Sequence, residues 1–153
     1  MKETHTLYAV ADGKLLPLSA VPDEAFASGL LGDGYAIEPT SDIICSPVCG
    51  TVANVASAGH AFVIAAEDGM DILVHIGVDT VELDGNPFSD AVAVGSRVAV
   101  GDKLTRVDLA AIRAAGYSTI TPVLITNVDA ATVRSHAQGT ATCGITPAVT
   151  YTY

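Results

Sequence analysis

The sequence predicts an all-β chain, an antiparallel β-sandwich or barrel-sandwich-like fold with short peripheral helices. Three observations carry that expectation. Gly, Pro, Asp and Asn punctuate the chain every few residues, the spacing of tight turns. The pieces between them are short and rich in Val, Ile, Thr and Ala, as strands are. Helical runs are few, and the longest reaches about two turns, too little to anchor a fold.

In chain order, the first helical piece is Asp23–Ala27, just after Pro22. Tyr35–Glu38 reads as a strand. Ile43-Ile44-Cys45 is a second, followed by a corner fixed by Pro47 and a turn at Gly50 that lead into Thr51–Val55. Ala61–Ala65 and Asp71–Ile76 flank a turn at Glu67-Asp68-Gly69 and can pair as a hairpin. Arg97–Val100 and Leu104–Val107 follow a glycine rhythm, Gly95 then Gly101, similar to that of biotinyl- and lipoyl-carrier domains. Leu109–Ala115 is the second helical piece, with Asp108 placed to cap its start and Gly116 to end it. Val123–Asn127, Thr140–Cys143 and Ala148–Tyr151 complete the strands.

At 153 residues, one domain over 1–153 is expected, with residues 1–7 flexible. Lys plus Arg number 7 and Asp plus Glu 17, a net charge of −10. That balance disfavours nucleic acid and anionic membrane surfaces, and permits a basic protein partner. No apolar run is long enough to span a bilayer, and the opening MKETHTLYAV is too polar for a secretory signal or a membrane-lying helix. Cys45, Cys49 and Cys143 form no CxxC pair and no disulfide framework, so they read as small buried hydrophobes in a cytoplasmic protein.

Chemistry rests on the histidines. His5 and His136 read as exposed and idle, the first near a loose terminus and the second in a turn. His75 is different. Strand side chains alternate faces, and Ile72, Val74, Ile76 and Val78 make one apolar face. His75 therefore shares the other face with Asp71, Leu73 and Asp79. Gly77, next along that face, leaves the ring edge open, and Leu73 gives it an apolar rim. His60 opens the strand that follows Ala58-Gly59, and a hairpin could bring it near His75. Taken alone, His60 also fits a structural role, and His75 a surface or core histidine.

Two histidines and Asp79 fit either a metal site or phosphoryl chemistry on imidazole. No HExxH motif supports the first. In the second, one ring nitrogen attacks phosphorus while the other keeps its proton against an acceptor. No Walker A or kinase motif occurs, so ATP is not implied. A biotinyl or lipoyl carrier would need a lysine at an exposed hairpin tip, and none of Lys2, Lys14 and Lys103 has that setting.

The segment Gly69-Met70-Asp71-Ile72-Leu73-Val74-His75-Ile76-Gly77-Val78-Asp79-Thr80-Val81 resembles throughout the phosphohistidine signature of the glucose-type IIA phosphocarriers of the bacterial phosphoenolpyruvate-dependent sugar phosphotransferase system (PTS). Gly32-Asp33-Gly34, Ala36-Ile37-Glu38-Pro39, His60-Ala61-Phe62 and Ser118-Thr119 with Thr121-Pro122-Val123 support it, and the likeness runs from about residue 8 to 151. The resemblance implies a β-sandwich with both histidines in a shallow apolar depression. It implies that His75 takes a phosphoryl group on Nε2, with its Nδ1 proton held by the Gly77 carbonyl. His60 would contact and stabilise the phosphoryl group, and Asp79 would act on the site electrostatically. The implied donor is phospho-HPr and the implied acceptor a cysteine of a IIB domain of a sugar permease. The protein would be a phosphotransferase component without cofactor or metal, meeting the membrane only through the permease. One departure stands out: many relatives carry a ring-orienting threonine two residues before the first histidine, where this chain has Ala58.

Overall fold

The computed structural model describes residues 4–29, 31–83, 86–127 and 132–152. Fourteen strands run β1 Thr4–Tyr8, β2 Gly13–Leu16, β3 Asp33–Pro39, β4 Ile43–Cys45, β5 Gly50–Val55, β6 Ala61–Ala66, β7 Asp71–His75, β8 Phe88–Ser89, β9 Arg97–Val98, β10 Lys103–Val107, β11 Thr121–Ile125, β12 Thr132–His136, β13 Gly139–Ala141 and β14 Pro147–Thr152. They form one eight-stranded sheet in the order β13-β2-β3-β11-β7-β6-β5-β9 and two of three strands, β1-β14-β12 and β4-β10-β8. The pairings are antiparallel, and among the described residues no sheet closes on itself as a barrel. Among the described residues, two short α-helices, α1 Glu24–Ala27 and α2 Leu109–Ala114, lie at the periphery. No helix among the described residues is long and apolar enough to cross a membrane.

Alternation explains the central strands. In β6, Phe62, Ile64 and Ala66 are buried, and in β7, Ile72 and Val74 are. These side chains meet Val52, Leu104, Val107, Tyr35 and Tyr151 in one core to which all three sheets contribute. The turn between β6 and β7 closes on Asp68, whose carboxylate accepts from the Met70 N–H at 3.0 Å. All five residues of β11 are buried: Val123 and Ile125 face the main core, and Leu124 faces a second apolar cluster on the other side of the sheet. The start of β11 two residues before the expected Val123 is tolerated despite Pro122, because the β7 ladder reaches only as far as Val123 opposite Val74.

Both helices are capped, α2 by the expected Asp108 and α1 by Asp23, which stands before the helix rather than at its first position. Asp23 accepts from Ala25 N–H at 2.9 Å and Asp108 from Ala111 N–H at 3.1 Å. Phe26 of α1 and Ile112 of α2 are their inward anchors.

Several expectations give way. Residues 4–7 are not loose, because Thr4–Tyr8 pairs with β14. His5 is not idle: its ring stacks on Tyr151 at 5.6 Å, and its Nδ1 lies 3.5 Å from an Asp68 carboxylate oxygen that Tyr151 also bonds. His136 ends a strand rather than lying in a turn, and its side chain is outside the described residues. Cys45 and Cys143 are joined by a disulfide across 98 residues, and Cys49 is free and exposed. No local spacing announces that pairing; it arises where the turn after β13 packs onto the end of β4.

Candidate functional site

The hairpin of β6 and β7 positions both histidines. Its register pairs Ala61 with His75 and Ala65 with Asp71, so His75 stands at the end of β7 and His60 one residue ahead of β6. The His60 carbonyl accepts from Ile76 N–H at 2.7 Å. Strict alternation from that pairing would send the His60 ring to the face opposite His75. The strand has not yet begun at His60, however. The chain bends through Gly59, at φ +80°, and the ring comes round to His75. The two rings meet edge to face, with centroids 5.0 Å apart and planes at 80°.

His75 is held on several sides. Its Nδ1 lies 2.8 Å from the Gly77 carbonyl oxygen. A carbonyl only accepts, so this bond requires the proton on Nδ1 and leaves the lone pair of the neutral ring on Nε2. Gly77 makes the bend possible. Its φ is +75°, and a Cβ there would stand 2.5 Å from Thr80 Cγ2 and 2.7 Å from the Ser118 carbonyl oxygen. Thr80 braces the same turn by donating its hydroxyl to the Ile76 carbonyl at 2.5 Å. The Phe26 ring packs against His75 with centroids 5.0 Å apart. Burial pushes the His75 pKa below the ordinary histidine value, opposed by the Gly77 bond and by the charges of Asp23 and Asp79.

His60 is 9% exposed, and its Nδ1 is buried with no hydrogen-bond partner. Its pKa is also lowered, first by burial and then by the neighbouring His75. Ala58 offers no hydroxyl, and Ser57 faces solvent.

An apolar patch lies beneath the pair. Leu18, Val21, Phe26, Ala36, Val78 and Leu124 cluster apart from the main core, with Leu73 packed against them. Val78 thus corrects the face expected from alternation. Ile72, Val74 and Ile76 point to the core, but the chain turns at Gly77 and Val78 joins the cluster under the site. Val81, in the single turn Thr80–Leu83 that follows Asp79, is half exposed.

The structure therefore brings His60, His75 and Gly77 together, and places Asp79 exposed at the edge, at φ +60°. Among the described residues, no three His, Cys, Asp or Glu side chains group as a metal site. Lys14 lies within β2 and Lys103 opens β10, neither at a hairpin tip, while Lys2 is outside the described residues. Sequence reasoning missed Asp23 and Phe26 as site residues. Only the docking of α1 beside the sheet brings them to His75, and no strand parity signals it.

Residues 5–131 match the family model for the phosphoenolpyruvate-dependent sugar phosphotransferase system, EIIA 1. The chain belongs to this EIIA family. It is similar to the "PTS system glucose-specific EIICBA component" of Streptococcus pneumoniae, 51% identical over 127 residues, covering 83% of this chain and 18% of that protein. It is similar to the "PTS system glucose-specific EIIA component" of Bacillus anthracis, 42% identical over 142 residues, covering 92% of this chain and 86% of that one. Among solved structures, glucose permease IIA from Mycoplasma capricolum superposes with a TM-score of 0.91 at 36% identity, covering 97% of this chain and 96% of that chain. The EIIA chain thus spans less than a fifth of the length of the first of these relatives and most of the other two.

Proposed function

We propose that this EIIA chain is a phosphocarrier that accepts a phosphoryl group from phospho-HPr on His75 Nε2 and passes it to the cysteine of a IIB domain, for sugar uptake and phosphorylation. The observation that supports it most is the contact of His75 Nδ1 with the Gly77 carbonyl at 2.8 Å. It leaves Nε2 as the nucleophilic atom, and burial keeps that nitrogen unprotonated below the ordinary histidine range.

The first transfer exchanges one phosphorus–nitrogen bond for another, and the second exchanges a phosphorus–nitrogen bond for a phosphorus–sulfur bond. Nε2 attacks the phosphorus in line as the bond to the donor imidazole breaks, and the proton stays on Nδ1, donated to the Gly77 carbonyl, throughout. In the second step, the IIB thiolate attacks and the electron pair returns to Nε2. No ATP, metal or water enters. His60, 5.0 Å away by ring centroids, supplies an N–H to the charge gathering on the phosphoryl oxygens. Asp79 and Asp23 favour the positive charge that develops on the His75 ring during attack.

The surroundings fit a docked protein rather than a buried small molecule. Leu73 and the half-exposed Val81 give an apolar rim, and the net charge of −10 draws in a basic partner. The barrel-sandwich character of the fold belongs to the same proposal, as does action in the cytoplasm with membrane contact only through the permease.

Intact mass after incubation with phosphoenolpyruvate, enzyme I and HPr tests it. The expected result is a gain of one phosphoryl group that acid removes and that His75→Ala lacks. Full labelling of His75→Ala would overturn the site assignment.

A further inference from the structure

The peptide unit between Gly77 and Val78 is held from both ends. Its carbonyl meets His75 Nδ1 at 2.8 Å, and its N–H donates to the Ser118 carbonyl at 3.2 Å. A peptide unit is planar, with N–H and C=O pointing in opposite directions. Fixing where the Val78 N–H points therefore fixes where the Gly77 carbonyl points. The Ser118 carbonyl is thus in a position to aim the acceptor that holds the His75 ring.

Ser118 has no regular element to hold it, since it lies between α2 and β11. The next residue does the holding. Thr119 is buried, and its hydroxyl donates to a Glu38 carboxylate oxygen of β3 at 2.6 Å. Arg113 of α2 donates to the same carboxylate at 3.2 Å, to the Thr119 hydroxyl at 3.3 Å and to the Pro39 carbonyl at 3.3 Å. The cluster ties sheet, helix and loop together one residue away from Ser118. The charged acceptor strengthens the Thr119 bond, and the chain of bonds from Arg113 through Thr119 to Glu38 is cooperative.

We infer that Glu38, Thr119 and Arg113 are positioning residues for His75. By anchoring the loop at 118–119 they fix the plane of the Gly77–Val78 peptide, and so hold the His75 ring in the tautomer with its proton on Nδ1. None of the three touches the reacting atoms. The inference rests on His75 being the phosphoryl acceptor, which makes that tautomer the reactive one.

The test is heteronuclear NMR of the His75 ring nitrogens in the unphosphorylated full chain, with phosphoryl acceptance measured beside it. Thr119→Val removes the hydroxyl and nearly keeps the volume. The expected spectrum shows His75 shifting from one tautomer toward a mixture while the His60 ring signals stay in place. The expected rate of acceptance from phospho-HPr falls about threefold to tenfold, the effect of losing one ordinary hydrogen bond. Thr119→Ser restores both. Glu38→Ala, at a partly exposed side chain, removes the acceptor without a core cavity and shifts the tautomer in the same direction. An unchanged His75 tautomer in folded Thr119→Val and Glu38→Ala would overturn the inference, whatever happens to the rate. A tautomer shift in protein that phospho-HPr never labels would uphold the clamp and overturn the phosphocarrier reading.

Discussion

His60 and His75 sit face to edge in one site, yet they are held in opposite ways. His75 is fixed by a hydrogen bond at Nδ1, by a glycine turn that only a residue without Cβ fits, and by two nearby carboxylates. His60 is more deeply buried, but its Nδ1 has no partner and only packing fixes its ring. Under the proposed function, this difference matches two separate tasks. A nucleophile needs one defined lone pair, hence a defined tautomer and a hydrogen bond to define it. A group that only donates to phosphoryl oxygens tolerates looser definition, at some loss of efficiency.

The contrast can be broken from either side. His75→Ala should abolish phosphoryl acceptance altogether, read as an unchanged intact mass with active donor. Gly77→Ala should come next. A Cβ would enter the space of Thr80 and the Ser118 carbonyl, and the positive φ alone costs about 1–3 kcal/mol. Urea unfolding should show that loss, and acceptance should fall roughly a hundredfold as the carbonyl leaves Nδ1. His60→Gln should still accept but deliver to a IIB domain roughly a hundredfold more slowly, because the amide N–H is a displaced substitute for the imidazole donor to developing charge. Equal losses in both half-reactions would contradict the division of labour.

Acidity sharpens the comparison further. His60 is buried and His75 partly buried, and both pKa values lie below the ordinary value near 6.5. The unfolded chain therefore binds more protons just below that pH, so stability falls as pH drops through the window from about 6.5 to the lowered folded values. Their contribution is fully present above about 6.5. Thermal unfolding should show this acid loss, with a shallower slope in His60→Gln. A variant slope as steep as that of the parent would exclude His60 as a source.

The smallest effect concerns Ala58. Ala58→Thr should give His60 Nδ1 a hydroxyl partner and stabilise the fold by about 0.5–1.5 kcal/mol in urea unfolding. No gain would mean that packing already fixes the ring.

What was legible in the sequence follows from how local each feature is. The open face of His75 was readable because alternation in Asp71–His75 is a local rule, and the Asp108 cap was readable for the same reason. Alternation failed at Val78 because Gly77 and Asp79 take positive φ and turn the chain. Strand β1 was hidden because its mostly polar Thr4-His5-Thr6 is held by β14 at the far end of the sequence. Asp23, Phe26 and the Cys45–Cys143 pair were hidden because only tertiary packing brings them to their partners.

In the proposed function, one ring nitrogen of one histidine carries the phosphoryl group. Heteronuclear NMR of the phosphorylated chain, correlating phosphorus with the ring nitrogens, tests it most directly. The expected spectrum has phosphorus bonded to Nε2 of His75, with the proton retained on Nδ1 against the Gly77 carbonyl. Phosphorus on His75 Nδ1, or on either nitrogen of His60, would contradict it.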